Sequence, residues 1–248
     1  RSRLNTHLKV VEKAMCSGEW SGVDPSRVPA CALHKYRLAF RNRNKDGSER
    51  SDDPDRRECA QRFEEAASKC IETGEGLHGT VKGAVGICQG YVRQGSYGHA
   101  VADPMVEAQW QNLLKETRES FGQEGGLPPC VALVDVSGSM QGQPMEAAVA
   151  LGLVVADTAP EGWRDHVITF ESTPKWHRVQ GSSLRDRVTN LMSAGWGGST
   201  NFAAALNLVL SRAVTHRIPQ EAMPKVLFVF TDMQWDVASG ERSGYGNY

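Results

Sequence analysis

Nowhere in the 248-residue chain is there an apolar run near the length of about 20 residues that a bilayer-crossing helix needs, so no membrane insertion is expected. The N-terminal stretch RSRLNTHLKVVEKAM has no apolar core of the signal-peptide kind. It also lacks an initiator Met, as a processed or excised piece would. No CxxC pair occurs. The six cysteines, Cys16, Cys31, Cys59, Cys70, Cys88 and Cys130, stand singly, which argues against a zinc site. A chain this long needs no disulfide staples, and reduced thiols in an intracellular, cytoplasmic protein are the expectation. Charge of either sign is not in excess. Lys and Arg number 28 against 29 Asp and Glu, a net charge of −1, so bulk electrostatics draw the chain to neither nucleic acid nor a membrane surface. No internal repeat is found.

What is present changes character along the chain. Residues 4–15, 30–40, 57–71 and 106–121 carry apolar positions at helical spacing, and a Gly-rich fifth stretch, 77–91, reads as a weaker helix. In DPSRVP, Asp24 suits an N-cap with Pro25 in the first turn, although Pro29 interrupts the pattern. RNRNKDGSERSDDPDRRE is a polar, charge-dense loop. The turn-rich GQEGGLPP then marks a domain boundary, giving a helical region over 1–125 and a second domain over 126–248. Beyond it, strand-like runs (131–134, 166–170, 175–179 and VLFVF, Val226–Phe230) alternate with helix-like runs (145–156, 184–192, 202–214). That alternation predicts an α/β domain with a largely parallel sheet.

Three polar clusters share one position in this layout. DVSGS follows the first strand, GGSTNF precedes a helix, and TD ends the last strand. In open α/β sheets, ligands sit at the carboxyl ends of the strands. Asp135, Ser137, Ser139, Thr200 and Asp232 are therefore expected to converge. Their carboxylate and hydroxyl oxygens are hard donors of the kind Mg²⁺ takes, and Mn²⁺ or Ca²⁺ would also suit them. Taken singly, Ser137, Ser139 and Thr200 could each cap a helix, and Asp232 could close a turn.

DVSGSM, GGSTNF and VFTD, in that order, resemble the von Willebrand factor A domain. The resemblance covers residues 128–248 and matches all five positions of that family's metal-ion-dependent adhesion site. It implies a Rossmann-like fold, a bound divalent cation and an open coordination position for an Asp or Glu carboxylate of a protein partner. The wider sequence, through GEWSGVDPSRVPACALHKYRLAF, ITFESTPKWHRV, GWGGSTNF and FTDMQWD, resembles plant and large-DNA-virus proteins that join a helical region to such a domain. The layout also resembles that of the Ro ribonucleoprotein, which raises RNA as a second partner. Family domains continue with further strands after the TD strand, so the 16 residues that follow Asp232 suggest a truncated end. A segment or another chain is then expected to cover the Val226–Phe230 edge, because soluble proteins avoid bare apolar edges.

The function expected is divalent-metal-dependent protein interaction, as a scaffold or complex subunit and not as an enzyme. The alternatives are an RNA-binding scaffold and a structural subunit with an empty metal site. Trp196, Gly197, Gly198, Ser199 and Trp235 flank the metal loops and are candidate partner contacts. A serine hydrolase would need GxSxG, which VSGSM does not provide. His166 and His177 fall in strand-like runs. The basic residues Lys35, Arg37, Arg41, Arg43, Lys45, Arg56 and Arg57 are interspersed with acids that largely cancel them.

Overall fold

The structure is a computed structural model that describes residues 10–79, 85, 103–121, 127–135, 137–169, 173–194 and 202–232. Among these are seven α-helices and four strands, so the chain is mixed α/β. The described residues up to Glu116 form one compact unit, and those from Thr117 onward a second.

In the first unit, α1 (Val11–Ser17) is followed by a 3₁₀ turn, Pro25–Arg27, and then by α2 (Ala30–Phe40) and α3 (Pro54–Thr73); α4 (Pro104–Ser120) comes last and belongs to this unit as far as Glu116. Asp24 caps the 3₁₀ turn by accepting from the Ser26 N–H at 3.0 Å. Pro29 occupies the N-cap position of α2 and does not interrupt it. The third helix begins at Pro54, three residues earlier than its apolar pattern indicates, because Asp53 accepts from the Asp55 N–H and Pro54 suits the first turn. It ends where Gly74 takes a left-handed conformation and its N–H bonds Cys70 O at 2.7 Å. Phe40 and Phe63 stack at 4.4 Å at the centre of a core that includes Trp20, Val28, Leu33 and Ala67. Of the expected helix over 77–91, all but a few residues lie outside the described ones.

The second unit holds the sheet, in the order β3-β2-β1-β4: Lys175–Arg178, His166–Thr169, Cys130–Val134 and Val226–Phe230. β1 pairs in parallel with both β2 and β4, while β2 and β3 form an antiparallel hairpin. The sheet is thus mostly parallel, as the alternation predicts. All five residues of β1 are buried, as befits a central strand. α5 (Gln143–Thr158) lies on it closely: a Cβ at Gly152 would sit 2.5 Å from Cγ2 of Val134. α6 (Leu184–Met192) opens on a reciprocal cap between Ser183 and Asp186, and α7 (Phe202–Thr215) precedes β4.

β4 differs from β1. All five of its residues are only half-buried, and among the described residues it forms one edge of the sheet. In the same unit, α7 exposes Leu206, Leu210 and Val214, one row at four-residue spacing. Among the described residues no helix is long and apolar enough to cross a membrane.

Candidate functional site

Parallel pairing sets the geometry of the candidate site. Val134 lies opposite Phe230 in the β1–β4 register, and the Asp135 N–H extends the ladder to Phe230 O at 2.9 Å. The carboxyl ends of the two strands therefore coincide, and residues 96 apart in sequence touch. The Thr231 hydroxyl donates to Oδ2 of Asp135 at 2.7 Å. On the other side, the Ser137 N–H donates to Oδ1 at 2.9 Å, a tight turn made by the aspartate's own loop.

Asp135 is 1% exposed. Both of its hydrogen-bond donors are neutral, and no cationic side chain pairs with it among the described residues. A buried carboxylate without a counter-charge is costly. Beside it the Ser137 and Ser139 hydroxyls stand 3.0 Å apart, Ser137 half-buried and Ser139 exposed. Neither serine acts as a helix cap through its side chain. Ser137 holds the N-cap position of the 3₁₀ turn Gly138–Met140 through its carbonyl, which accepts from the Met140 N–H at 3.0 Å, with no side-chain cap bond, and α5 starts instead from Gly142. Buried Met140 ties this turn to the protein, and Gly142 has a φ of +96° that other residues rarely adopt.

Of the five expected ligands, Asp135, Ser137 and Ser139 share one loop, and half-buried Asp232 follows Thr231 directly at the adjoining strand end. Thr200 lies outside the described residues, as do Trp196, Gly197, Gly198, Ser199 and Trp235. Among the described residues there is no group of three or more His, Cys, Asp or Glu side chains placed to hold a metal ion. The side chains gathered at this end of the two strands carry the Ser137, Ser139 and Thr231 hydroxyls, oxygen groups of the kind hard cations accept. Sequence reasoning missed Thr231. The signal was there in the TD pair, since two parallel strands ending in register bring the residue after each into contact.

The two histidines sit elsewhere. Val167 pairs with Ala132, which puts His166 level with the start of β1. At about 3.3 Å per residue, that is roughly 13 Å from Asp135 along the strand. His166 Nδ1 bonds Arg164 O at 2.6 Å and Nε2 faces Arg212 at 3.3 Å, while His177 Nε2 bonds Asn190 at 2.9 Å. Arg212 stacks on Trp163 and Trp176, with its guanidinium 5.9 and 4.9 Å from the ring centroids.

In the first unit several arginines face protein partners. Arg37 and Arg41 pair with Asp103, Arg41 also with Glu64, and Arg57 with Glu49. Arg56 lies 3.9 Å over the Trp20 ring. A cleft of about 650 Å³ there is lined by both signs, with Arg41, Arg43 and Arg57 beside Glu49, Glu64 and Glu65. Cys16, Cys31, Cys59, Cys70 and Cys130 are free thiols, the first two exposed; burial pushes Cys59 and Cys130 up to about 11.

Residues 129–248 match a family described as a domain of unknown function (DUF7788). That match begins one residue before β1 and includes the whole Asp135 loop. An uncharacterised protein of Acanthamoeba polyphaga mimivirus is 34% identical over 236 residues, which cover 95% of this chain. The same alignment covers 39% of the viral protein, so the chain spans well under half of its relative's length. No solved structure matches the chain.

Proposed function

We propose that the second unit is a von Willebrand A-like, Rossmann-like domain that grips a protein partner through a divalent cation. One observation carries this reading. Asp135 is a buried carboxylate, held in place by neutral donors and lacking a protein counter-charge among the described residues. A cation beside it would supply that charge. The donor chemistry fits. Asp135, Ser137 and Ser139 would contribute oxygens from one loop, and Thr200 and Asp232 would complete the set, for Mg²⁺ first and Mn²⁺ or Ca²⁺ as substitutes. The cation would supply a coordination position for an Asp or Glu side chain of the partner, with Trp196, Gly197, Gly198, Ser199 and Trp235 as neighbouring contacts. The protein acts on this reading as a scaffold or complex subunit. The apolar β4 edge and the Leu206–Leu210–Val214 row support a second contact, made by a segment or chain that pairs with β4.

The test is whether a divalent ion stabilises the fold through Asp135. A ligand at 100 times its Kd adds about 2.7 kcal/mol to the folded state. Mg²⁺ or Mn²⁺ should raise the unfolding midpoint of the native protein, a chelator should reverse the rise, and Asp135→Ala should abolish it. A midpoint indifferent to all divalent ions would sink the reading.

A further inference from the structure

The contact between Thr231 and Asp135 joins two strands at the point where the candidate cation would sit. We infer that Thr231 is a positioning residue for that cation: it touches Asp135 and sets the carboxylate's orientation. The inference rests on the metal reading above and deepens it by naming a side chain outside the five-residue pattern.

A carboxylate on one hydrogen bond can still rotate about its own axis. With the Ser137 N–H on Oδ1 and the Thr231 O–H on Oδ2, Asp135 is held from two directions, once by its own loop and once by β4. An ionised carboxylate only accepts, so Thr231 must be the donor. Each carboxylate oxygen has two lone-pair directions, and each is left with one for a cation after these bonds form. The second bond therefore fixes the group without using up its capacity as a ligand. Its donor is also neutral, so it leaves the negative charge that attracts the cation intact. An Arg or Lys in the same place would hold the carboxylate and cancel that charge.

Outer partners of metal ligands commonly contribute 10–100-fold in metal affinity. Thr231→Val keeps the shape of the side chain and removes the hydroxyl, while Thr231→Ser restores the hydroxyl on a smaller group. Mn²⁺ binding to the whole chain, measured by calorimetry, should weaken about 10–100-fold in Thr231→Val and recover most of its strength in Thr231→Ser. Metal-free unfolding midpoints of the three proteins, measured alongside, separate this effect from a loss of fold. Wild-type affinity in a folded Thr231→Val protein overturns the inference and leaves the metal reading standing, provided Asp135→Asn loses the ion. Equal weakening in the Val and Ser variants also overturns it, since packing rather than the hydroxyl would then be responsible. If the wild-type chain binds no Mn²⁺ saturably, the metal reading fails and this inference falls with it.

Discussion

His166 shows how much a single side chain can report. Its Nδ1 faces a carbonyl, which only accepts, so Nδ1 carries the proton and Nε2 is the acceptor for Arg212. Burial holds its pKa below the ordinary value of 6.5, with Arg212 and Arg178 pushing the same way; the Arg164 carbonyl and Asp165 oppose them. The unfolded chain therefore binds this proton more readily than the folded one. Stability from the neutral ring is complete above about pH 6.5 and is lost as pH falls through the window below it. His34 in the first unit, also lowered by burial, adds a loss of the same sign. His166→Gln should flatten the fall in unfolding midpoint between about pH 7.5 and 5.5 without removing it. An unchanged slope would mean that His166 is not held neutral.

Packing at the level of elements turns on close approach and on edges. α5 reaches β1 through Gly152, where a methyl group would meet Val134 at 2.5 Å. Alanine gains about 1 kcal/mol of helix propensity over glycine, but overpacking costs about 1–3 kcal/mol. Gly152→Ala should therefore lower stability by on the order of 1 kcal/mol in urea unfolding, and Gly152→Val by more. A stabilised alanine variant would contradict the close contact.

The edge strand gives the second expectation at this scale. In the native assembled protein all five β4 amides should exchange slowly with deuterium, those facing away from β1 included. Fast exchange at alternate β4 amides would show a bare edge and remove the proposed second contact.

Elements were the most legible feature of the sequence. α2, α6 and β4 lie where the apolar spacing puts them, and Pro29, which interrupts the pattern in the sequence, proves to be the N-cap of α2. Starts were less legible where a cap, not a hydrophobic residue, sets the boundary, as at Asp53–Pro54 and Gly142. The candidate site was legible as a list of oxygen donors. Thr231 was not: the TD pair marks the strand end, but the contact with Asp135 follows only once the β1–β4 register is known.

Over the whole molecule, likeness to the mimivirus protein extends across both compact units, and the DUF7788 match is confined to the second. The net charge is near neutral, and in the first unit Arg37, Arg41 and Arg57 pair with acids. Buried Asp135, which has no cationic partner among the described residues, stands out against that balance.

Such a group lowers stability in the absence of its cation, as binding residues often do. An amide at the same place can keep both hydrogen bonds, because its oxygen accepts from the Ser137 N–H and its nitrogen can donate to the Thr231 hydroxyl. Thermal unfolding of wild type and Asp135→Asn, each with chelator and with excess Mg²⁺, measures this directly. Asp135→Asn should unfold no lower than wild type in chelator and gain nothing from Mg²⁺, whereas wild type should gain about 2–3 kcal/mol near saturation. A variant that is less stable in chelator, with a wild type that ignores Mg²⁺, would make Asp135 a structural residue and contradict the account.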